Sequence, residues 1–176
     1  MNYKVKKIIA TSVLVFSTIG VITCCIFLFL NQNNVGKSKF SNQSFEVTYP
    51  NDWYLVDERG ALENEQVYIE KILPSSRYLD FSITYRDKKN NTLDEWVNLA
   101  IDSLKSQGVK ELSQEKVKIN NYNGIVIEFI SSNQQTSSLF LEKDGRLYTI
   151  SYFASEDDFE TYVQEASDIR NSFKFK

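Results

Sequence analysis

The chain contains no histidine in 176 residues. That absence removes the usual general base near neutral pH, the usual partner of a serine nucleophile and the commonest imidazole metal ligand. Cysteine is nearly absent as well. The two present, Cys24 and Cys25, sit side by side in an apolar run near the N-terminus. Everything after that run is without thiol nucleophile, disulfide or cysteine-based zinc site. There is no GxGxxG, no GxxxxGK[ST] and no GxSxG, so the common nucleotide-binding and nucleophile-elbow devices are missing. No internal repeat is found, and no low-complexity tract beyond a short Asn-rich stretch. Positive charge is scarce where a nucleic-acid binder needs it. Beyond residue 30 the chain carries 17 basic against 23 acidic residues, a net of −6. A domain of that sign repels phosphate backbones and anionic lipid head groups. What remains for catalysis is a carboxylate pair, since glycoside hydrolysis needs only two suitably spaced acids.

What the chain does have is one long hydrophobic run. Ile8 to Leu30 covers 23 positions without a charge or a proline. As a helix it is about 34 Å long, enough to cross a hydrocarbon core of about 30 Å. Lys4, Lys6 and Lys7 precede it and Asn31-Gln32-Asn33-Asn34 follow, so the positive-inside rule sets the N-terminus in the cytoplasm and the rest outside. The expected organisation is a cytoplasmic tail over 1–7, a single-pass anchor over 8–30, a polar linker over 31–43 and an extracytoplasmic domain over 44–176. Two rival readings stay open. A cleaved secretory signal has a shorter apolar core and a small-residue cleavage site, which Phe27-Leu28-Phe29-Leu30 does not provide. Val21-Ile22-Thr23-Cys24 resembles a lipoprotein signal, with Cys24 as the lipidated residue, although threonine precedes the cysteine and apolar residues follow it. All three readings put the domain on the outer face.

Within the domain, hydrophobic periodicity predicts the elements. Phe45, Val47 and Tyr49 alternate with polar residues until Pro50-Asn51-Asp52 interrupts them, which is the signature of a half-buried strand. Val67 to Leu73 is a second strand. Leu79, Phe81, Ile83 and Tyr85 alternate through a third. Leu93, Trp96, Val97, Ala100, Ile101 and Leu104 then follow helical spacing, with Thr92 and Glu95 as a capping box and Gly108 as a stop. Strands return at Glu115–Ile119, Ile125–Ser131, Ser138–Lys143 and Arg146–Ala154, with NNYNG (120–124) and Asp144-Gly145 as hairpin turns. Both faces of Ile125–Ile130 are largely apolar, as in a strand covered on two sides. A second helix is capped by Ser155 and Asp158 and carries Phe159, Tyr162, Val163, Ala166, Ile169 and Phe173 on its apolar stripe. A short strand over Phe173–Phe175 closes the chain. The order β-β-β-α-β-β-β-β-α predicts an α+β fold: an antiparallel β-sheet with amphipathic helices packed on its faces.

Acidic residues gather at the two helix starts: Asp94 and Glu95, then Glu156, Asp157, Asp158 and Glu160. First-turn acids complement the helix dipole, and capping is favoured over catalysis or Ca²⁺ binding. The segment DKKNNTLD (87–94) lacks the spacing and central glycine of an EF-hand loop. No catalytic residue, metal ligand or cofactor is assigned. Trp53, Trp96 and Phe159 read as core. Tyr148 and Tyr152, with Ile150, line one face of the last long strand. Were that face uncovered, Tyr148 and Tyr152, together with Trp53, would be candidates for binding a partner.

The strand running into Tyr49-Pro50-x-x-Trp53, the amphipathic helix over Thr92–Ser106, the turn–strand unit Ile119–Phe129, and Gly145-x-x-Tyr148-x-Ile150 with a helix ending in Ser172-Phe173 together resemble the PsbP-like domain family, of Mog1/PsbP-like fold. The likeness covers residues 44–176. It implies an α/β/α sandwich and a non-catalytic role, as in a photosystem II extrinsic subunit, a Ran-binding factor, envelope lipoproteins and effector chaperones. No partner-binding motif of those members is matched here. With the anchor, the expectation is a membrane-tethered extracytoplasmic binding or assembly module, accessory or chaperone-like, for another envelope protein. The alternative is a carboxylate-dependent cell-surface enzyme or Ca²⁺-binding domain, which requires a cleft holding two carboxylates within about 10 Å of each other. No such cleft is expected.

Overall fold

The computed structural model describes residues 36–56, 66–74 and 76–176. The tail and the apolar run over 8–30 lie outside the described residues, and among those described no helix is long and apolar enough to cross a membrane. Lys37–Lys176 form one compact unit.

The described residues of this unit form ten strands and two helices. In chain order they are β1 (Lys37–Ser41), β2 (Phe45–Pro50), β3 (Tyr54–Val56), β4 (Gln66–Ile72), β5 (Tyr78–Asp87), α1 (Leu93–Ser106), β6 (Lys110–Ile119), β7 (Tyr122–Ser131), β8 (Gln134–Lys143), β9 (Arg146–Ser155), α2 (Glu156–Ser172) and β10 (Lys174–Phe175). Seven strands form one antiparallel sheet in the order β3-β4-β5-β9-β8-β7-β6, and β1-β2-β10 form a small second sheet. The run β6 to β9 is a meander closed by three two-residue turns: Asn120-Asn121, Ser132-Asn133 and Asp144-Gly145. All six turn residues have positive φ, between 46° and 73°. This is the turn geometry whose twist matches that of the strands it joins, and Asn, Asp and Gly tolerate it best.

The large sheet is covered on both faces, and β7 shows why the sequence requires it. Val126 packs with Leu139, Leu141, Ile150 and the apolar stripe of α2, while Ile125 and Ile127 pack with Phe140 and with Val97 and Ile101 of α1. Successive residues of a strand point to opposite faces, so the continuous apolar run Ile125–Ile127 demands a cover on each side. The result is the helix–sheet–helix layering expected of the α+β reading. Both helix starts are capped as their sequences predict. Glu95 N–H donates to Thr92 Oγ1 at 3.2 Å and Thr92 N–H donates to Glu95 Oε2 at 2.7 Å. Asp158 N–H donates to Ser155 Oγ at 3.3 Å.

Some elements depart from the sequence expectation. Lys37–Ser41, within the expected linker over 31–43, is strand β1, paired to β2 along its whole length. Its only large apolar residue is Phe40, whose ring lies 5.8 Å from that of Phe45, so there was no alternation to read. Tyr54–Val56 is a three-residue edge strand on β4. β6 begins at Lys110 rather than Glu115 because an outer strand needs few apolar residues once backbone pairing with β7 holds it.

Candidate binding surface

The three aromatics singled out in the sequence lie in the core. Trp53 is 2%, Tyr148 3% and Tyr152 3% exposed, so none offers a face to a partner. Tyr148 is enclosed by aromatic neighbours, with Phe175 at 4.8 Å and Phe45 at 6.3 Å between ring centroids. Tyr152 stacks 5.0 Å from Phe159 of α2. The strand face they line is thus the covered one. Trp53 donates from Nε1 to Glu165 Oε2 at 3.0 Å. Lys71 Nζ reaches the same Glu165 oxygen at 2.7 Å and Asp52 Oδ2 at 2.9 Å. Burial opposes the Lys71 charge, but these two carboxylates outweigh it and hold its pKa above the usual lysine value.

The acids at the helix starts are dispersed among separate partners. Asp94 pairs with Lys116 at 2.9 Å, Glu95 closes the capping box, and Asp158, buried, bonds Ser155 and pairs with Arg77 at 2.6 Å. Among the described residues no group of three His, Cys, Asp or Glu side chains is placed to hold a metal ion.

A different surface stands out. The described residues that are both large, apolar and exposed are Tyr54, Leu55, Ile72, Tyr78 and Leu99. Three of them share one corner and one face of the large sheet, because Tyr54 lies opposite Glu70, Ile72 opposite Tyr78, and Glu70 opposite Asp80 in register. Tyr54, Ile72 and Tyr78 are 56%, 57% and 54% exposed. Asp80 in turn faces Phe153 on β9, and Tyr68 lies one pair further along β4; both aromatics are half-buried. The arrangement is a pair of carboxylates, Glu70 and Asp80, framed by aromatic and aliphatic side chains. It is on the sheet face that carries α1, but α1 packs over the half built from β6 to β8. Sequence periodicity had one trace of it: Tyr68, Glu70 and Ile72 alternate with the buried Val67 and Ile69, so β4 shows apolar character on both faces.

Among the described residues, the fold places Glu70 opposite Asp80 and brings Asp52 and Glu165 to one lysine. The first pair is on an open sheet face and the second is bridged by Lys71. Two small cavities occur among the described residues. One, about 10 Å³, lies under α1 beside Ile101, Leu104 and Ile127. The other, about 30 Å³, lies between α2 and the sheet at Arg170 and Ser137. Glu128 is the single carboxylate lining either. A two-carboxylate hydrolase places its acids about 5–10 Å apart across a substrate cleft, and neither cavity has that composition.

No protein-family model matches the chain, and no curated protein matches it in sequence. Solved structures do. The solution structure of cyanobacterial PsbP (CyanoP) from Synechocystis superposes with a TM-score of 0.62 at 18% identity, covering 81% of this chain and 94% of that one. LpqN, involved in cell envelope biogenesis of Mycobacterium tuberculosis, gives 0.61 at 11% identity over 84% and 95%. A protein of unknown function from Pseudomonas aeruginosa gives 0.57 at 11% over 77% and 94%. The fold is therefore that of the PsbP-like proteins.

Proposed function

We propose that this chain, a domain with the PsbP-like fold, is a non-catalytic module tethered outside the cytoplasm by residues 8–30, and that it holds an envelope protein against the β3–β5 face. One observation carries the reading: Tyr54, Ile72 and Tyr78 are more than half exposed around Glu70 and Asp80, on a sheet face that α1 leaves open. Clustered apolar exposure of this kind marks an interaction site more often than an isolated exposed side chain does. Its chemistry selects the partner. The Glu70 carboxylate, tyrosine rings and a net charge of −6 beyond residue 30 favour a segment bearing lysine or arginine, whose ammonium or guanidinium group finds an ion pair and ring faces while its stem covers Ile72. The envelope-biogenesis role given to LpqN is in keeping with such an assembly role. The enzymatic alternative needs a concave pocket with convergent acids, and Glu70 and Asp80 lie on an open sheet.

The test is photo-cross-linking in intact cells with the reactive residue at Tyr78, and at Leu99 on the outer side of α1 as control. A discrete adduct is expected from position 78 and not from 99, weakened by I72S and by the charge swap E70K/D80K. Equal adducts from both positions, or an adduct indifferent to the charge swap, sink the reading.

A further inference from the structure

A second site is built on the opposite sheet face, around the half-buried guanidinium of Arg170. This residue sits in the last turn of α2, above the cavity of about 30 Å³. The cavity is lined by Glu128, Ser137, Ser167 and Arg170 over a floor that includes Phe81 and Ile150. Its size admits about two water-sized groups.

Arg170 is poorly satisfied there. Its five N–H donors find two serine hydroxyls, Ser137 Oγ and Ser167 Oγ, each at 3.4 Å, the long limit of a hydrogen bond. The buried Nε–H has no acceptor. Glu128, on the facing wall, favours the charged guanidinium against the burial that disfavours it, but the two form no ion pair within 4.0 Å. A cation and an anion therefore face each other across a gap instead of closing it, and the Arg170 Nε–H is left without an acceptor. Desolvating charges without completing their bonds is costly, so the gap is shaped for something that supplies both halves.

Charge decides what that is. An anion satisfies Arg170 but meets Glu128, and adds negative charge to a domain that already carries an excess. A cation has the mirror-image problem. A neutral amide does neither: its carbonyl oxygen accepts from the guanidinium, its N–H donates to the carboxylate, and its two polar atoms fit a space for about two waters. We propose that this cavity binds the amide group of a ligand, either a primary carboxamide side chain or a peptide unit, held between Arg170 and Glu128 with Ser137 and Ser167 at its sides. The site lies on the sheet face opposite Tyr54, Ile72 and Tyr78 and stands independently of the docking reading.

The full chain in detergent micelles, labelled with ¹⁵N-arginine, gives a direct readout in the Arg170 Nε–H resonance, identified by its loss in R170K. Four probes are titrated: acetamide, N-methylacetamide, acetate and methylammonium. An amide is expected to shift the resonance with a dissociation constant on the order of 10 mM, reasonable for so few atoms, while acetate and methylammonium bind roughly tenfold more weakly or not at all. Acetamide ahead of N-methylacetamide identifies a carboxamide side chain as the natural group; the reverse order identifies a peptide unit. In E128Q the preference is expected to pass to acetate. Acetate binding better than either amide in the native chain overturns the proposal in favour of an anion site. So does amide binding unaffected by E128Q, and so does a resonance that no probe moves at roughly 0.1 M, ten times the expected constant, which leaves only water in the cavity.

Discussion

Lys71 shows how single side chains tie the fold together. It lies on β4, yet its ammonium group bridges Asp52, in the turn after β2, and Glu165 on α2, beneath the ring of Tyr162 at 5.0 Å. Glu165 also accepts from Trp53. Replacing Lys71 with methionine removes hydrogen bonds from a side chain that is only 13% exposed, while Asp52 and Glu165 stay able to turn to water. The expected loss is about 1–2 kcal/mol in urea unfolding. The same residue sets part of the alkaline limit. Its pKa is above the ordinary 10.5 in the folded chain, so its contribution is complete below the unfolded value and is lost as pH rises through the folded one. Tyr152 acts in the same direction. Burial, aided by Asp158 and Glu165, pushes its phenol well above the usual 10.0, so the unfolded chain ionises first and stability falls above about pH 10. Between pH 8 and pH 11 the urea midpoint should drop in the native chain and drop less in Y152F.

At the scale of elements, the meander depends on close backbone approach at one glycine. A Cβ on Gly124 of β7 would sit 2.7 Å from Leu141 Cδ2, 2.8 Å from Leu139 Cδ1 and 3.0 Å from the carbonyl oxygen of Phe140. The leucine termini can swing away, but the backbone of β8 cannot without breaking its register. G124A should therefore cost about 1–3 kcal/mol. G145A, in open space but at φ +73°, pays only for backbone conformation, about 1 kcal/mol. Equal midpoints for the two variants would contradict this account. Removing the α1 cap with T92A should cost about 1 kcal/mol, read in the same assay.

The legibility of these elements in sequence varied for a physical reason. Strands and helices with one buried face announced themselves, as β5 did through Leu79, Phe81, Ile83 and Tyr85. β1 and the start of β6 did not, because an edge strand is held by backbone pairing that any side chain permits. The Ser132-Asn133 turn went unread for a similar reason. Ser at positive φ is uncommon, and the two-residue spacing becomes visible only once Ser131 is seen opposite Gln134. The candidate site was less legible than the fold. Tyr148 and Tyr152 have the composition of a binding face, but their exposure depends on α2 and β10, which arrive from elsewhere in the chain.

For the whole molecule, the proposed organisation is a disulfide-free domain tethered outside the cytoplasm by one apolar segment. Reductant should leave its unfolding midpoint unchanged, since both cysteines lie within residues 8–30. Protease added to intact cells or protoplasts should remove residues 37–176 while the N-terminal fragment stays with the membrane; protection of the domain would reverse the proposed orientation.

By itself the sequence determined the chemistry that is missing and the local alternation that is present. Without histidine, and without cysteine beyond residue 25, no arrangement of the chain restores imidazole or thiol chemistry to the domain, and period-2 and period-3.6 patterns are properties of neighbours along the backbone. Only the tertiary structure decided which half of each sheet face is covered, and which distant residues meet. Glu70 and Asp80 are ten residues apart, and Arg170 lies 33 residues from Ser137. Their juxtaposition comes from strand order and helix placement, which are set by the burial of the whole core rather than by any one segment.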